Sequence, residues 1–480
     1  MSSGQDSNFL DGEEEQGLRE IWNCCREKQL TRKHLTMEKS SKGVKRDFTV
    51  GNPDVFGTQF LLTFPRIPGL VTYYYLYLDL STTAGGDVQV NVTTPLLMTS
   101  IYDQSYTFQR NTGLQINLHR DLVIRQNGLS NKTVLVTSDK SISAYVTGTS
   151  LEHDKSLGGY RILPVDVLGK HYFVATLCKT GKCQMVVTAA YSNTVVRIRL
   201  RLATAKATVQ HDGVGYKQGD TIQIQLARYE SVQIVCQEDM SGTEVEANKR
   251  IAVFSGGEKT DFSFPVYDQV IEQLIPVYAL GTEYIVVQAP KRDDFNDLIM
   301  IVATEDNTAV SVSSGYSSIF LQYSGQVSQF IINQDAFINS TKPVMVVQIL
   351  DSCFAKCDTA IIVVPSTTQY MKYDTLRIST IHTVFITVVT ETASINFVEK
   401  NNIPMVDWRV LVSDSKWSVT STNFTDGVQD ITSNNGYGTI AGFISTEDLL
   451  LSATEAFPLA FNLNIINQEP DVYVIISSFI

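Results

Sequence analysis

Three glycines, Gly57, Gly169 and Gly281, stand at a constant interval, 169 − 57 = 112 and 281 − 169 = 112. Each opens a strand-like run, "GTQFLLTF", "GKHYFVAT" and "GTEYIVVQ", with an aromatic three residues on: Phe60, Tyr172 and Tyr284. Pro164 and Pro276 each stand eight residues before the aromatic of their own copy. A looser fourth copy has Pro365 eight residues before Tyr373 in "VVPSTTQYMKYDTL", with Tyr370 at the glycine position. Such a period restricts the fold to a string of related units. Glycine at the start of a strand admits φ > 0 or a close approach of another backbone, and the aromatic that follows is a core anchor.

The copies share more than their openings. "SDKSISAYVTG", "EANKRIAVFSG", "NSTKPVMVVQI" and "ATEAFPLAFNL" each set a turn before an apolar strand, and "VVTAAYSNTVVRI" matches "IVATEDNTAVSV" as a hairpin. Runs such as "TYYYLYLDL", "DVQVNVT" and "IQIQLA" are rich in Val, Ile, Thr and Tyr, and many alternate polar with apolar, the period of a half-buried strand. The class is therefore all-β. The expectation is about four tandem β-sandwich-like units over 48–158, 159–270, 271–358 and 359–480, after a flexible polar tail at 1–47. Units of this length hold roughly seven to nine strands, the size of a sandwich. Propeller blades run only to about 50 residues, so a propeller is the second choice.

The formal charge of −12 argues against a nucleic-acid backbone as the main partner, since phosphates are met by clustered Lys and Arg. No run of eighteen apolar residues is present to span a bilayer, and the residues after Met1 do not form a basic-then-apolar secretory leader. Of seven cysteines, Cys178 and Cys183 bracket "KTGK" and Cys353 and Cys357 bracket "FAK". Either pair is close enough to bridge, with reduced thiols the alternative, while neither has the spacing of a zinc site. Cys236, in "SVQIVCQ", has the setting of a buried apolar thiol.

Catalytic signatures are missing: no HExxH, GxSxG, phosphate loop or EF-hand occurs in the six-histidine chain, and no cofactor or metal is expected. His171 is replaced by Gln59 and Glu283 in the other copies, which marks the polar face of a strand rather than a base. "TEDNT" at 304–308 and "EDMSG" at 238–242 gather oxygens but suit turns. The densest carboxylates, Asp293, Asp294 and Asp297 in "KRDDFND", would serve a hydrolase only if they shared a cleft. Glycosylation sequons stand at Asn91, Asn131, Asn339 and Asn423.

Taken in order, "PVDVLGKHYFV", "PVYALGTEYIVV", "IVATEDNTAVSV", "ANKRIAVFSG" and "STKPVMVVQI…DTAIIVVPSTTQY" resemble the IgGFc-binding protein N-terminal domain family, over about residues 52–470. The resemblance implies an extracellular, disulfide-bearing, glycosylated module that binds a protein or glycoprotein or builds a matrix, without catalysis. One departure is plain: "SGGEKTDFSFPVYDQVIEQL" lacks the cysteines that often flank these phrases in the family. The competing expectations are a carbohydrate-active or hydrolytic enzyme on a β scaffold and an intracellular scaffold.

Overall fold

The Pro–Gly–aromatic phrase is a single 3₁₀ turn that feeds a strand. Pro164 and Pro276 cap the turns Val165–Val167 and Val277–Ala279 at φ −65° and −66°, the angle the pyrrolidine ring imposes. Gly169 then donates its N–H to the hydroxyl of Tyr172 (2.7 Å), which donates to the carbonyl of Ile251 (2.8 Å). In the next copy Gly281 donates to the Tyr284 hydroxyl (3.0 Å), and that hydroxyl donates to Val344. Ile251 and Val344 occupy the same place, the first residue of a strand that closes each unit. Each also donates its own N–H back to the glycine carbonyl. The repeated tyrosine is thus a staple between the start of a unit and its end.

The computed structural model describes residues 54–467 except 68–73, 98–101, 151–155, 261–267, 291–295, 314–317, 352–358, 379–382, 425–426, 435–437 and 448–455. Among the described residues most strands fall into four sets of eight with one topology, and the short strands Gly128–Ser130, Val209–His211, Val214–Tyr216 and Arg409–Val410 are additions to it. The second set shows it: His171–Phe173, Cys183–Ala189, Thr194–Arg199, Thr221–Leu226, Ser231–Cys236, Glu244–Ala247, Ile251–Thr260 and Asp268–Gln273. The fourth, third, sixth and first strands make one antiparallel sheet, and the eighth, seventh, second and fifth make the other. The third set (283–363) and the fourth (373–459) repeat this order. In the first set (57–162) the sixth and seventh strands are one continuous strand, Val134–Ser150. Its first part pairs with Gly57–Leu62 and Val88–Thr93, and its second part with Tyr74–Ser81 and Ser156–Ile162. Each set is a two-sheet sandwich.

The two sheets differ in burial, and the sequence follows. Second and seventh strands read as continuous apolar runs, "CQMVVTA", "DLIMIVA" and "VMVVQIL", every residue of them buried. The Asp297–Ala303 strand shows why: Ile299 and Ile301 fill its own sandwich, while Met300 and Val302 join the core shared with the second set. The other sheet meets water, so "TIQIQL" alternates exposed with buried. The eighth strands Ser156–Ile162, Asp268–Gln273 and Ala360–Val363 run across or beyond the expected boundaries at 158, 270 and 358. Adjacent sets also trade elements, since Gly128–Ser130 of the first adds to the Ser231–Cys236 strand of the second. All described residues belong to one compact body, Asn52–Ile480.

Of the two roles expected for the glycines, Gly57 and Gly281 serve close approach: a Cβ on Gly57 would lie 2.3 Å from Pro164 Cβ, and one on Gly281 2.6 Å from Ser366 Cβ. Two expectations need correction. The shared Asn–Thr turn is not a hairpin, because the strands on its two sides lie in opposite sheets. Asn193 and Asn307 take φ of 53° and 55° there, and Thr194 and Thr308 hydroxyls donate back across the turn to Tyr191 and Glu305. The fourth copy is displaced by one residue from the alignment on Pro365, Tyr370 and Tyr373. Ser366 caps the turn, the Ile440 N–H donates to the Met371 carbonyl as those of Ile251 and Val344 donate to the glycine carbonyls, and Asp374 takes the tyrosine position.

Asp374 is fully buried. Its carboxylate accepts from both terminal guanidinium nitrogens of Arg161 (2.5 and 2.7 Å) and from the amides of Ala460 and Thr375. Arg161 belongs to the eighth strand of the first set, so this fork ties the first set to the fourth. Two further pairs cross the same junction: Asp79–Arg377 and Arg110–Asp430, each 2.7 Å.

A charged cleft between the second and third sets

In the exposed sheet of the second set, strand alternation brings like side chains to one face. Arg197 and Arg199 project from Thr194–Arg199, Glu244 and Glu246 from the neighbouring Glu244–Ala247, and His171 and Phe173 from the strand beyond. The register places Arg199 opposite Glu244, Arg197 opposite Glu246, and Glu246 opposite His171. Arg199 meets Glu244 Oε2 at 2.9 Å, His171 Nε2 meets Glu244 Oε1 at 2.9 Å, and Arg197 lies 3.6 Å from Glu246. Burial by itself would raise the Glu244 carboxyl, but the His171 hydrogen bond and charge and the two arginines outweigh it and hold the group below its usual range.

The third set supplies the opposite wall. Asp306, Tyr323 and Ser324 face this ladder across a cleft of about 500 Å³ that Thr221 also lines. The walls meet through two glycines with left-handed backbone: a Cβ on Gly242 (φ 84°) would lie 2.0 Å from the Gly325 oxygen, and one on Gly325 (φ 74°) 2.6 Å from the Gly242 oxygen. Only glycine admits that approach at those angles. Tyr323 is 57% exposed and offers an aromatic face beside hydroxyl, carboxylate and guanidinium groups. This combination suits a polar partner with donors and acceptors of both kinds. His171, Glu244 and Glu246 place ligand atoms within 4.8 Å of one another, a cation-sized arrangement, yet the arginines already serve as counter-ions to both carboxylates.

The residues singled out from sequence are dispersed. Cys178 and Cys183 form a disulfide, and it closes the crossing between the first and second strands of the second set, which lie in different sheets. Cys353 and Cys357 lie outside the described residues, as do Asp293 and Asp294. Asp297 is buried and accepts from the Gln348 side chain (2.7 Å) and the Asp351 amide, so it is not open to a substrate. Asp239 of "EDMSG" accepts from Ser241 and Thr176, and Asp306 of "TEDNT" from the Ser324 amide; both organise turns. His171 does lie on a strand face, but buried against Glu244 rather than in water. Asn91, Asn131, Asn339 and Asn423 are all exposed. The cleft arginines and glutamates escaped notice, although "VRIRL" and "TEVEA" carry their alternation openly.

Residues 158–442, more than half of the 480-residue chain, match the family described as IgGFc binding protein. The chain belongs to that family. The match to the IgGFc binding protein family begins in the last strand of the first set and ends in the seventh strand of the fourth, so it contains both walls of the cleft. Human IgGFc-binding protein is 30% identical over 145 residues, which make up 30% of this chain and 3% of that protein. The match thus touches a small part of the relative's length. No helix among the described residues is long and apolar enough to cross a membrane.

Proposed function

We propose that this chain is an extracellular, non-enzymatic module that binds a protein or glycoprotein, with the cleft between the second and third sets as its contact site. Membership of the IgGFc binding protein family carries the reading. Two features support its extracellular half: the Cys178–Cys183 disulfide, a bond that persists in oxidising compartments, and the exposure of all four sequon asparagines, where a glycan has room. The buried position of Asp297 speaks against the hydrolase alternative built on its carboxylate cluster.

The human relative's name refers to the Fc part of IgG, so Fc is one natural probe among several. The test presents the purified full chain to immobilised glycoproteins, IgG Fc included, and compares wild type with Arg199→Glu. The expected result is saturable binding to at least one of them, weakened roughly tenfold by the reversed charge. Turnover of a glycoside or ester by the purified chain, abolished by Asp294→Asn, would overturn the reading.

A further inference from the structure

Cys183 has two cysteine partners within reach. It is bonded to Cys178, and it lies directly opposite Cys236 in the antiparallel register of Cys183–Ala189 with Ser231–Cys236. Directly opposed residues have Cα atoms about 4.5 or 5.5 Å apart, and both values fall inside the range of roughly 4.4–6.8 Å that disulfides span. Opposed residues also project to the same face of a sheet. Cys236 is therefore aimed at the sulfur pair. It is a free thiol, 3% exposed, and the Glu238 amide donates to its sulfur at 3.4 Å.

The two possible partners of Cys183 sit in unlike surroundings. Cys178 lies half-buried at the edge of the loop "CKTGKC", whose lysines are Lys179 and Lys182, and the Gly181 amide of this loop donates to the Lys259 carbonyl. Cationic neighbours stabilise a departing thiolate. Cys236 is itself buried, and the charges that follow it are the half-buried carboxylates Glu238 and Asp239.

We propose that Cys178, Cys183 and Cys236 form a thiol–disulfide exchange site. The Cys236 thiolate attacks Cys183 Sγ, the Cys183–Cys236 bond forms, the Cys178–Cys183 bond breaks, and Cys178 leaves as a thiolate that takes up the proton Cys236 released. Two electrons move within the three sulfurs and no outside oxidant is consumed. The product is a cross-strand disulfide in the core and a reactive thiol on the lysine-bearing loop. That thiol is open to small thiol-reactive molecules and disulfides, whereas Cys236 never is.

The experiment incubates the native full chain with N-ethylmaleimide and maps peptides without reduction. The expected result is label on Cys178 together with a growing Cys183–Cys236 linked peptide, and loss of Cys178 labelling in Cys236→Ser. Label on Cys236, or a Cys178–Cys183 linkage that persists unlabelled, would overturn the proposal. A second variant, Cys178→Ser, tests the geometry apart from the chemistry. Oxidised in a glutathione buffer, it is expected to link Cys183 to Cys236. If it melts like wild type and both thiols stay free, the proposal fails.

Discussion

The second and third sets open on a tyrosine whose hydroxyl staples two strands of the same set. The fourth opens on Asp374 at the equivalent place, and its carboxylate reaches out to Arg161 of the first set. One backbone position thus serves internal closure in two copies and closure between copies in another. The chemistry explains the exchange. A hydroxyl satisfies one donor and one acceptor nearby, while a buried carboxylate can accept a bidentate guanidinium and two amides together. Changing one residue of a repeated phrase turns a local tie into a tie across the molecule.

The largest effect expected from breaking this comparison is at the ion pair. Arg161→Met or Asp374→Leu leaves an unpaired group at a fully buried site and should cost about 3–5 kcal/mol of unfolding free energy, read by urea titration. Tyr172→Phe and Tyr284→Phe each remove a buried hydroxyl that both accepts from a glycine amide and donates to a backbone carbonyl, and each should cost about 1–3 kcal/mol. The first copy already carries Phe60 there, so Phe60→Leu should expose a packing loss with no hydrogen-bond component, about 1 kcal/mol by the same titration.

A pH series sharpens the contrast further. Asp54 sits near Asp374 and Arg161, and burial chiefly raises its pKa from 3.8 to about 6. Between those values the folded chain holds a proton that the unfolded chain has lost, so stability from this group falls as pH rises through the window. Asp54→Asn should flatten the melting temperature between pH 4 and 6, measured by calorimetry. The smallest effect is expected at Arg110→Ala. Its pair with Asp430 is 45% and 25% exposed, and such pairs contribute about 0–1 kcal/mol.

Much of this was legible in the chain. The interval of 112 and the Pro–Gly–aromatic marks locate three units because those residues do backbone work that few others can do. The fourth escaped by one residue because Ser366, Met371 and Asp374 replace all three marks, and the turn capped by Ser366 together with the Met371–Ile440 hydrogen bonds reveals the register. The cleft escaped for a different reason. "VRIRL" and "TEVEA" show which residues share a strand face, yet the pairing of Arg199 with Glu244, across 45 residues (244 − 199 = 45), depends on strand register. The Asn–Thr turn looked like a hairpin because alternation reports burial and says nothing of which sheet a strand joins.

The central claim is that Asp374 and Arg161 hold the first and fourth sets in one body, and a double-mutant cycle tests it most directly. Unfolding free energies of Arg161→Met, Asp374→Leu and the double variant are compared with wild type. The prediction is strong coupling: the double variant, with an apolar pair in place of the ions, loses far less than the sum of the singles, by about 2 kcal/mol or more. Additive losses would show that the two residues act independently and would contradict the account.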